Sequence, residues 1–194
     1  MGIQNPHNRK GKRVEKDAYE TPAWVTNALF SWLKIPKSST ILEPACGTGQ
    51  MVSAMKALGY AKVIGTDIAK GRDFLTLRTK ANNVITNPPY KDDLPERFAR
   101  HALDSIVPKG GYVALLTTTH FLGSSGRFEF FNETHRPFHV IFLSDRIRFT
   151  VKGKPISGQA YDHCWVIWKK GFTGVGTHSF YCKGDKLPRR KPWK

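Results

Sequence analysis

A chain of 194 residues, 40% of them hydrophobic, has the size and apolar content of one domain with a buried core. Lysine and arginine number 31 against 15 acidic residues, and a formal charge of +16 points to a polyanionic partner such as nucleic acid. No apolar run approaches the ~18 residues of a membrane-crossing helix, and three scattered cysteines, Cys46, Cys164 and Cys182, exclude a disulfide framework and a zinc-knuckle spacing.

The chain opens on a basic arm, residues 1–16, carrying Arg9, Lys10, Lys12, Arg13 and Lys16. It lacks the apolar stretch of a secretory signal, so the expected compartment is a reducing cytoplasm. Next, Tyr19-Glu20-Thr21-Pro22 precedes an apolar helix over 23–33, with Thr21 placed to cap it and Pro22 at its first position. A buried strand over about 40–43 runs into Glu43-Pro44-Ala45-Cys46-Gly47-Thr48-Gly49, a glycine-rich turn into a helix over 50–58. Glycines let backbone approach a ligand closely. An acidic residue at the strand end argues against a phosphate there and for a cationic or amino-bearing ligand; the turn also lacks the dinucleotide spacing. A second strand over about 62–66 ends at Asp67, whose carboxylate can accept from two ribose hydroxyls. A short strand is expected near 73–75, although only five residues separate Asp67 from Asp73. Asp73 can also act as a local cap or pair with Arg72 or Arg78.

The most informative segment follows. A β-branched strand over 83–86 ends in Asn87-Pro88-Pro89-Tyr90. Two prolines fix φ and remove two backbone donors, and each pushes its predecessor out of the helical region. The result is a stiff arch that offers carbonyl acceptors, with a side-chain amide before it and an aromatic ring after it. Such an arch suits a planar NH2 group. If Asn87 Oδ1 and the Pro88 carbonyl each take one N–H, the nitrogen tilts towards sp3 and its lone pair can be aimed at an electrophile. The plain alternative is a strand-to-loop turn with an exposed tyrosine.

Beyond the arch, residues 95–106 read as a helix, Pro108-Lys109-Gly110-Gly111 as a turn, and 112–116 as a strand. A short helix over 128–133 precedes the last two strands, 140–143 and 164–168. His163-Cys164 reads as packed rather than metal-bound, and no metal is expected. Alternating strands and helices give an α/β fold built on a parallel sheet with crossovers. The stretch 146–162 is basic and carries Arg146, Arg148, Phe149 and Tyr161. The expected divisions are an arm over 1–16, a domain over 17–172 and a basic tail over 173–194, with Lys183, Lys186, Arg189, Arg190, Lys191, Trp193 and Lys194. Both basic ends can lie along phosphates, with affinity that falls steeply as salt rises.

Taken together, Glu43–Gly49 resembles motif I, and Asn87–Tyr90 the amino-methylation motif, of the S-adenosylmethionine-dependent N6-adenine DNA methyltransferases. Residues 19–22 resemble motif X lying before motif I, 71–75 resemble motif III, and 146–162 resemble the motif VIII loop. The resemblance covers about residues 17–170. It implies a Rossmann-like class I methyltransferase fold, an α/β, mostly parallel seven-stranded type of sheet with an antiparallel end pair and helices on both faces, and S-adenosylmethionine as cofactor. It also implies cofactor contacts from Tyr19, Thr21, Glu43, Pro44, Ala45, Cys46, Gly47, Thr48, Gly49 and Asp67, with Ile68 on the adenine face. Asp73 would accept from the cofactor adenine and Phe74 would line its pocket. Asn87, Pro88, Pro89 and Tyr90 would carry the transfer. Tyr90 and Phe149 would flank an extruded base, with Arg146 and Arg148 on phosphates. Phe149 packed under the sheet and two solvated arginines remain the alternative.

The resemblance leaves out a target-recognition domain, since only about 24 residues follow Lys170. A stripped catalytic domain with short basic arms, acting on adenine in DNA, is the leading expectation. RNA adenine and the amide nitrogen of a protein glutamine suit the same arch. Cytosine N4 fits less well, and a non-catalytic nucleic-acid binder is the non-enzymatic alternative.

Overall fold

The computed structural model describes residues 19–156 and 161–184. It contains three α-helices, α1 (Ala23–Trp32), α2 (Gln50–Ala57) and α3 (Leu94–His101), the last continuing in a wider turn over Ala102–Ile106. The strands are β1 (Ile41–Glu43), β2 (Val63–Gly65), β3 (Asn83–Thr86), β4 (Tyr112–Thr118), β5 (His139–Leu143), β6 (Thr150–Val151), β7 (Lys154–Pro155), β8 (His163–Lys169) and β9 (Thr177–Tyr181). Seven of them form one sheet in the order β2-β1-β3-β4-β8-β5-β9, while β6 and β7 make a separate hairpin.

β1 pairs in parallel with β2 and β3, and β3 with β4. β8 runs against both of its neighbours, β4 and β5. This is the expected parallel core with an antiparallel pair. The period of two in β4 serves both faces: Ala114 and Leu116 pack with Val25, Leu29 and Met55, whereas Val113 and Leu115 pack with Phe98, Ala99 and Leu103. Strands covered on both faces are apolar throughout, and Val113 to Leu116 are all fully buried. Trp165 joins the layers by donating its ring N–H to the Val25 carbonyl at 2.9 Å.

Two expectations are corrected. Residues 73–75 are not a strand. Phe74–Thr76 is a short helical turn, as is Ile68–Lys70. The physical reason is length: another parallel strand after β2 needs a crossover of about a dozen residues, and this connection is far shorter. The stretch 173–194 is not all tail, because β9 lies within it and pairs in parallel with β5. β9 reads Thr-His-Ser-Phe-Tyr and is mostly exposed, so the ladder to β5 defines it rather than its own apolarity. The basic residues of 1–16 and of 185–194 lie outside the described residues. Among the described residues no helix is long and apolar enough to cross a membrane.

The chain moves from β1 to β2 on one side and then to β3 on the other side of β1. Strand order reverses between β1 and β3, and it is at such a switch point, beyond the carboxyl ends of the strands, that open α/β sheets carry their ligand crevice.

Candidate active site

Glu43 ends β1 on the floor of this crevice and is only 1% exposed. Its Oε1 accepts from the Thr86 hydroxyl at the end of β3 and from the Ala45 N–H at 3.2 Å. Its Oε2 is buried without a partner. Burial pushes the Glu43 carboxyl up to about 8, against the pull of the Thr86 and Ala45 bonds. A buried carboxyl oxygen with no hydrogen-bond partner is costly. An ammonium or amino group would complete it.

The glycine-rich turn lies directly above. Cys46 donates its N–H to the Thr66 carbonyl at 2.9 Å, which ties the turn to the end of β2. Gly49 sits at φ +92°, where a side chain would be strained, and starts α2 with no side-chain cap. Gly65 is required for a different reason: a Cβ there would stand 2.9 Å from Val52 Cγ2 and 3.2 Å from Cys46 Cβ. Ala45, Cys46, Gly47 and Gly49 are half-buried and Thr48 is exposed, while Pro44 is buried beneath them. Asp67 Oδ2 accepts the Gly47 N–H and its Oδ1 the Ala69 N–H, each at 2.8 Å. Each oxygen keeps a lone pair for a hydroxyl. Ile68, beside it, is 73% exposed, a large apolar surface available to a flat ring.

The Asn87–Tyr90 arch leaves β3 one residue after Thr86. Asn87 donates from Nδ2 to Thr21 Oγ1 at 3.1 Å. Its Oδ1 accepts the Tyr90 hydroxyl at 2.7 Å, and that hydroxyl also lies 3.2 Å from the Leu116 carbonyl. Pro88 is buried, Pro89 exposed and Tyr90 half-buried. Burial pushes the Tyr90 phenol far up, so it stays protonated and donates. The His163 ring lies 6.1 Å from the Tyr90 ring. Burial also lowers the pKa of His163, and its Nδ1 is buried without a partner.

Residues 19–22 close one side. Glu20 forms an isolated bridge with Thr150, donating its N–H to the Thr150 carbonyl at 2.8 Å. The Glu20 carboxylate accepts from the Thr150 hydroxyl at 2.5 Å, the Gly153 N–H at 3.0 Å and the Thr48 hydroxyl at 3.5 Å. One acidic side chain thus ties the β6–β7 hairpin to the glycine-rich turn. Those hydrogen bonds, led by Thr150 and then Gly153, hold the Glu20 carboxyl below its ordinary range.

Several expected positions fall elsewhere. Phe149 is 4% exposed and packs edge-on against Tyr19 at 5.9 Å and His163 at 5.3 Å, so it is not an open wall facing Tyr90. The cause is alternation: Ile147 and Phe149 turn inward while Arg146 and Arg148 turn out. Arg146 pairs with Asp162 at 3.5 Å, with both side chains largely exposed. Phe74 is 2% exposed and sits in the core against Phe98 and His101 rather than at a pocket surface. Asp73 spends its carboxylate capping the turn, accepting from the Leu75 N–H at 3.0 Å. Tyr19 remains 48% exposed. Thr21 is not the cap of α1; Pro22 holds that position and no side chain caps the helix. No sequence motif singles out Thr86 or Lys70, Glu20 enters only as part of residues 19–22, and His163 is expected only to be packed. Thr86 carries no local signal, since its partner lies 43 residues away. Lys70 Nζ lies 3.3 Å from the Gly47 carbonyl. Among the described residues no group of three or more His, Cys, Asp or Glu could hold a metal ion.

No family model matches the chain, and no curated protein matches it in sequence. Solved structures do match in fold. One is assigned to the class I S-adenosylmethionine-dependent methyltransferases of Listeria monocytogenes, with TM-score 0.60 and 16% identity over 88% of this chain and 68% of that one. The M protein of the type I restriction enzyme EcoKI gives TM-score 0.54 and 13% identity over 79% of this chain and 44% of that one. A protein described as an RNA methyltransferase, from Pyrococcus horikoshii, gives TM-score 0.52 and 12% identity, covering 78% and 86%. The chain spans less than half the length of the EcoKI subunit it matches. The fold is the Rossmann-like fold of class I methyltransferases.

Proposed function

We propose that the chain is an S-adenosylmethionine-dependent methyltransferase whose acceptor is a planar amino group, foremost the N6 of adenine in DNA. One observation carries the reading. The Glu43–Thr86 hydrogen bond clamps together the ends of adjacent strands β1 and β3, so the glycine-rich turn and the Asn87–Tyr90 arch flank one crevice. A methyl donor and an amino acceptor can meet there. The basic surplus of the chain supports a nucleic-acid substrate.

The residues fit the donor. The unpartnered Glu43 Oε2 suits its amino group, Asp67 suits the ribose hydroxyls, and exposed Ile68 suits the adenine face. Pro44 to Gly49 would pass beneath the methionine portion. S-adenosylmethionine, when bound, supplies an electrophilic methyl group on a sulfonium.

The protein's own work is placement. Asn87 Oδ1 and the Pro88 carbonyl would accept the two N–H groups of the target and aim its lone pair along the crevice. Tyr90 presents a ring to the base and a hydroxyl to Asn87 Oδ1. Drawing adenine out of its stack costs a few kcal/mol, less where the strand is already single. The nitrogen gains a methyl and gives up one proton, which leaves to water. No strong base is required of the chain, because charge disperses as the sulfonium is lost and preorganised dipoles suffice.

The test is tritium transfer from labelled cofactor into separate samples of duplex DNA, single-stranded DNA, total RNA and cell protein, followed by identification of the product. N6-methyladenine in DNA is the expected product. Label in RNA adenine or protein glutamine would move the substrate while keeping the arch chemistry. Label on oxygen or carbon would contradict the assignment of the arch.

A further inference from the structure

Thr21 stands where a helix-capping hydroxyl is expected, yet it caps nothing. Pro22 is the N-cap of α1, at φ −60° and ψ 144°, and no side chain bonds to the first turn. The Thr21 hydroxyl is instead spent 66 residues away, accepting from Asn87 Nδ2 at 3.1 Å. Thr21 is 3% exposed, so the bond is shielded from competing water. Nothing in the local sequence of either residue requires this contact.

We infer that Thr21 is the positioning residue for the Asn87 amide. The inference rests on the amino-group reading given above and adds a residue to it. Asn87 follows the end of β3 and precedes a proline, so its backbone is stiff. Its side chain is not: the Cγ torsion of asparagine is broad and lacks a sharp staggered well. A stiff arch with a swivelling amide would present Oδ1 and Nδ2 to the target in turn, and Nδ2 is a donor facing a donor. The Thr21 hydroxyl removes that freedom. Thr21 holds Nδ2 from the α1 side, and Tyr90 meets Oδ1 from the β4 side. With Nδ2 engaged by Thr21, Oδ1 is the end left for Tyr90 and for an incoming amine. Thr21 acts through Asn87 and needs no contact with substrate.

The neighbouring residue explains why the contact sits in this segment. Glu20 grips the β6–β7 hairpin and reaches Thr48, which fixes the backbone that carries Thr21. The segment is therefore anchored on one side and positions the acceptor site on the other.

The experiment uses the full chain with Thr21→Val, which keeps the shape and removes the hydroxyl, and with Thr21→Ser, which restores it. The side-chain amide pair of Asn87 is identified in 1H–15N spectra by its loss in Asn87→Asp. Thr21→Val raises the solvent exchange of that pair about tenfold, the worth of one hydrogen bond. It lowers kcat on unmethylated duplex DNA by a similar factor at saturating S-adenosylmethionine. Thr21→Ser returns both values to the parental level. Unchanged exchange in Thr21→Val overturns the inference, with or without transfer to DNA. A loss that Thr21→Ser does not repair overturns it as well. The amino-group reading fails by a separate result: parental transfer by Asn87→Ala, whatever the Thr21 variants do.

Discussion

Tyr90 donates its hydroxyl to Asn87 Oδ1 at 2.7 Å, so the amide oxygen that the proposed function assigns to an incoming amine already carries one hydrogen bond. An incoming N–H must share that oxygen or displace the phenol towards the Leu116 carbonyl, 3.2 Å away. On the proposed function, the ring and the hydroxyl of Tyr90 should therefore have opposite effects on capture.

Replacing Tyr90 separates the two. Tyr90→Phe keeps the ring and unmasks Oδ1, so KM for nucleic acid should fall about threefold with little change in kcat. Tyr90→Ala removes the stacking face and should raise KM roughly tenfold or more. Steady-state kinetics on both variants tests the pair. A rise in KM for Tyr90→Phe would show that the hydroxyl assists capture instead.

Glu43 supplies a pH signature. Its folded carboxyl is raised to about 8 by burial, from an ordinary value of 4.5. The contribution of a raised carboxyl to the fold is fully present below the unfolded value. Its contribution declines as pH climbs from about 4.5 to about 8, because the unfolded chain ionises first. A bound amino group favours the ionised form, so cofactor binding near pH 7 should release a proton, and the release should vanish above about pH 9. Calorimetry in buffers of different ionisation enthalpy measures it. Glu43→Gln should abolish the release, and persistence of the release in that variant would place the titration elsewhere.

Phe74 distinguishes the structure from the expectation that it lines a cofactor pocket. It lies between Phe98 and His101 at 2% exposure. Phe74→Leu should cost about 1 kcal/mol in stability, read from the denaturation midpoint, and leave cofactor affinity unchanged. A large loss of affinity in a well-folded variant would return Phe74 to the pocket.

Glu20 should govern the hairpin. Glu20→Ala removes the acceptor of the Gly153 N–H, and amide exchange at Gly153 should quicken about tenfold. The Glu20 carboxyl is held low by the Thr150 and Gly153 bonds. The tie should therefore persist at neutral pH and weaken only as pH falls below the ordinary carboxylate range. Parental exchange at Gly153 in the variant would mean that the β6–β7 turn stands without Glu20.

What could be read from residues alone followed the range of the signals. Ile41–Glu43 and Asn83–Thr86 were legible as strands because apolar and β-branched runs end in glycine or proline. Glu43, Asp67 and Asn87 were legible as candidates because each stands at the end of such a run. The contacts that organise the crevice were not. Thr86 reaches Glu43, Thr21 reaches Asn87, and Glu20 reaches Gly153 across 43, 66 and 133 residues, and no local pattern encodes such distances. Phe149 was open to both readings because aromatic residues serve cores and base-stacking alike. The inward phase of Ile147 and Phe149 decides for the core. β9 was missed because an edge strand borrows its order from its neighbour.

The most direct test of the central claim compares Asn87→Ala with the parental chain at saturating S-adenosylmethionine. If the arch positions an amino acceptor beside a bound methyl donor, cofactor affinity is retained and kcat falls by at least about a hundredfold. Transfer by Asn87→Ala at the parental rate would contradict the account.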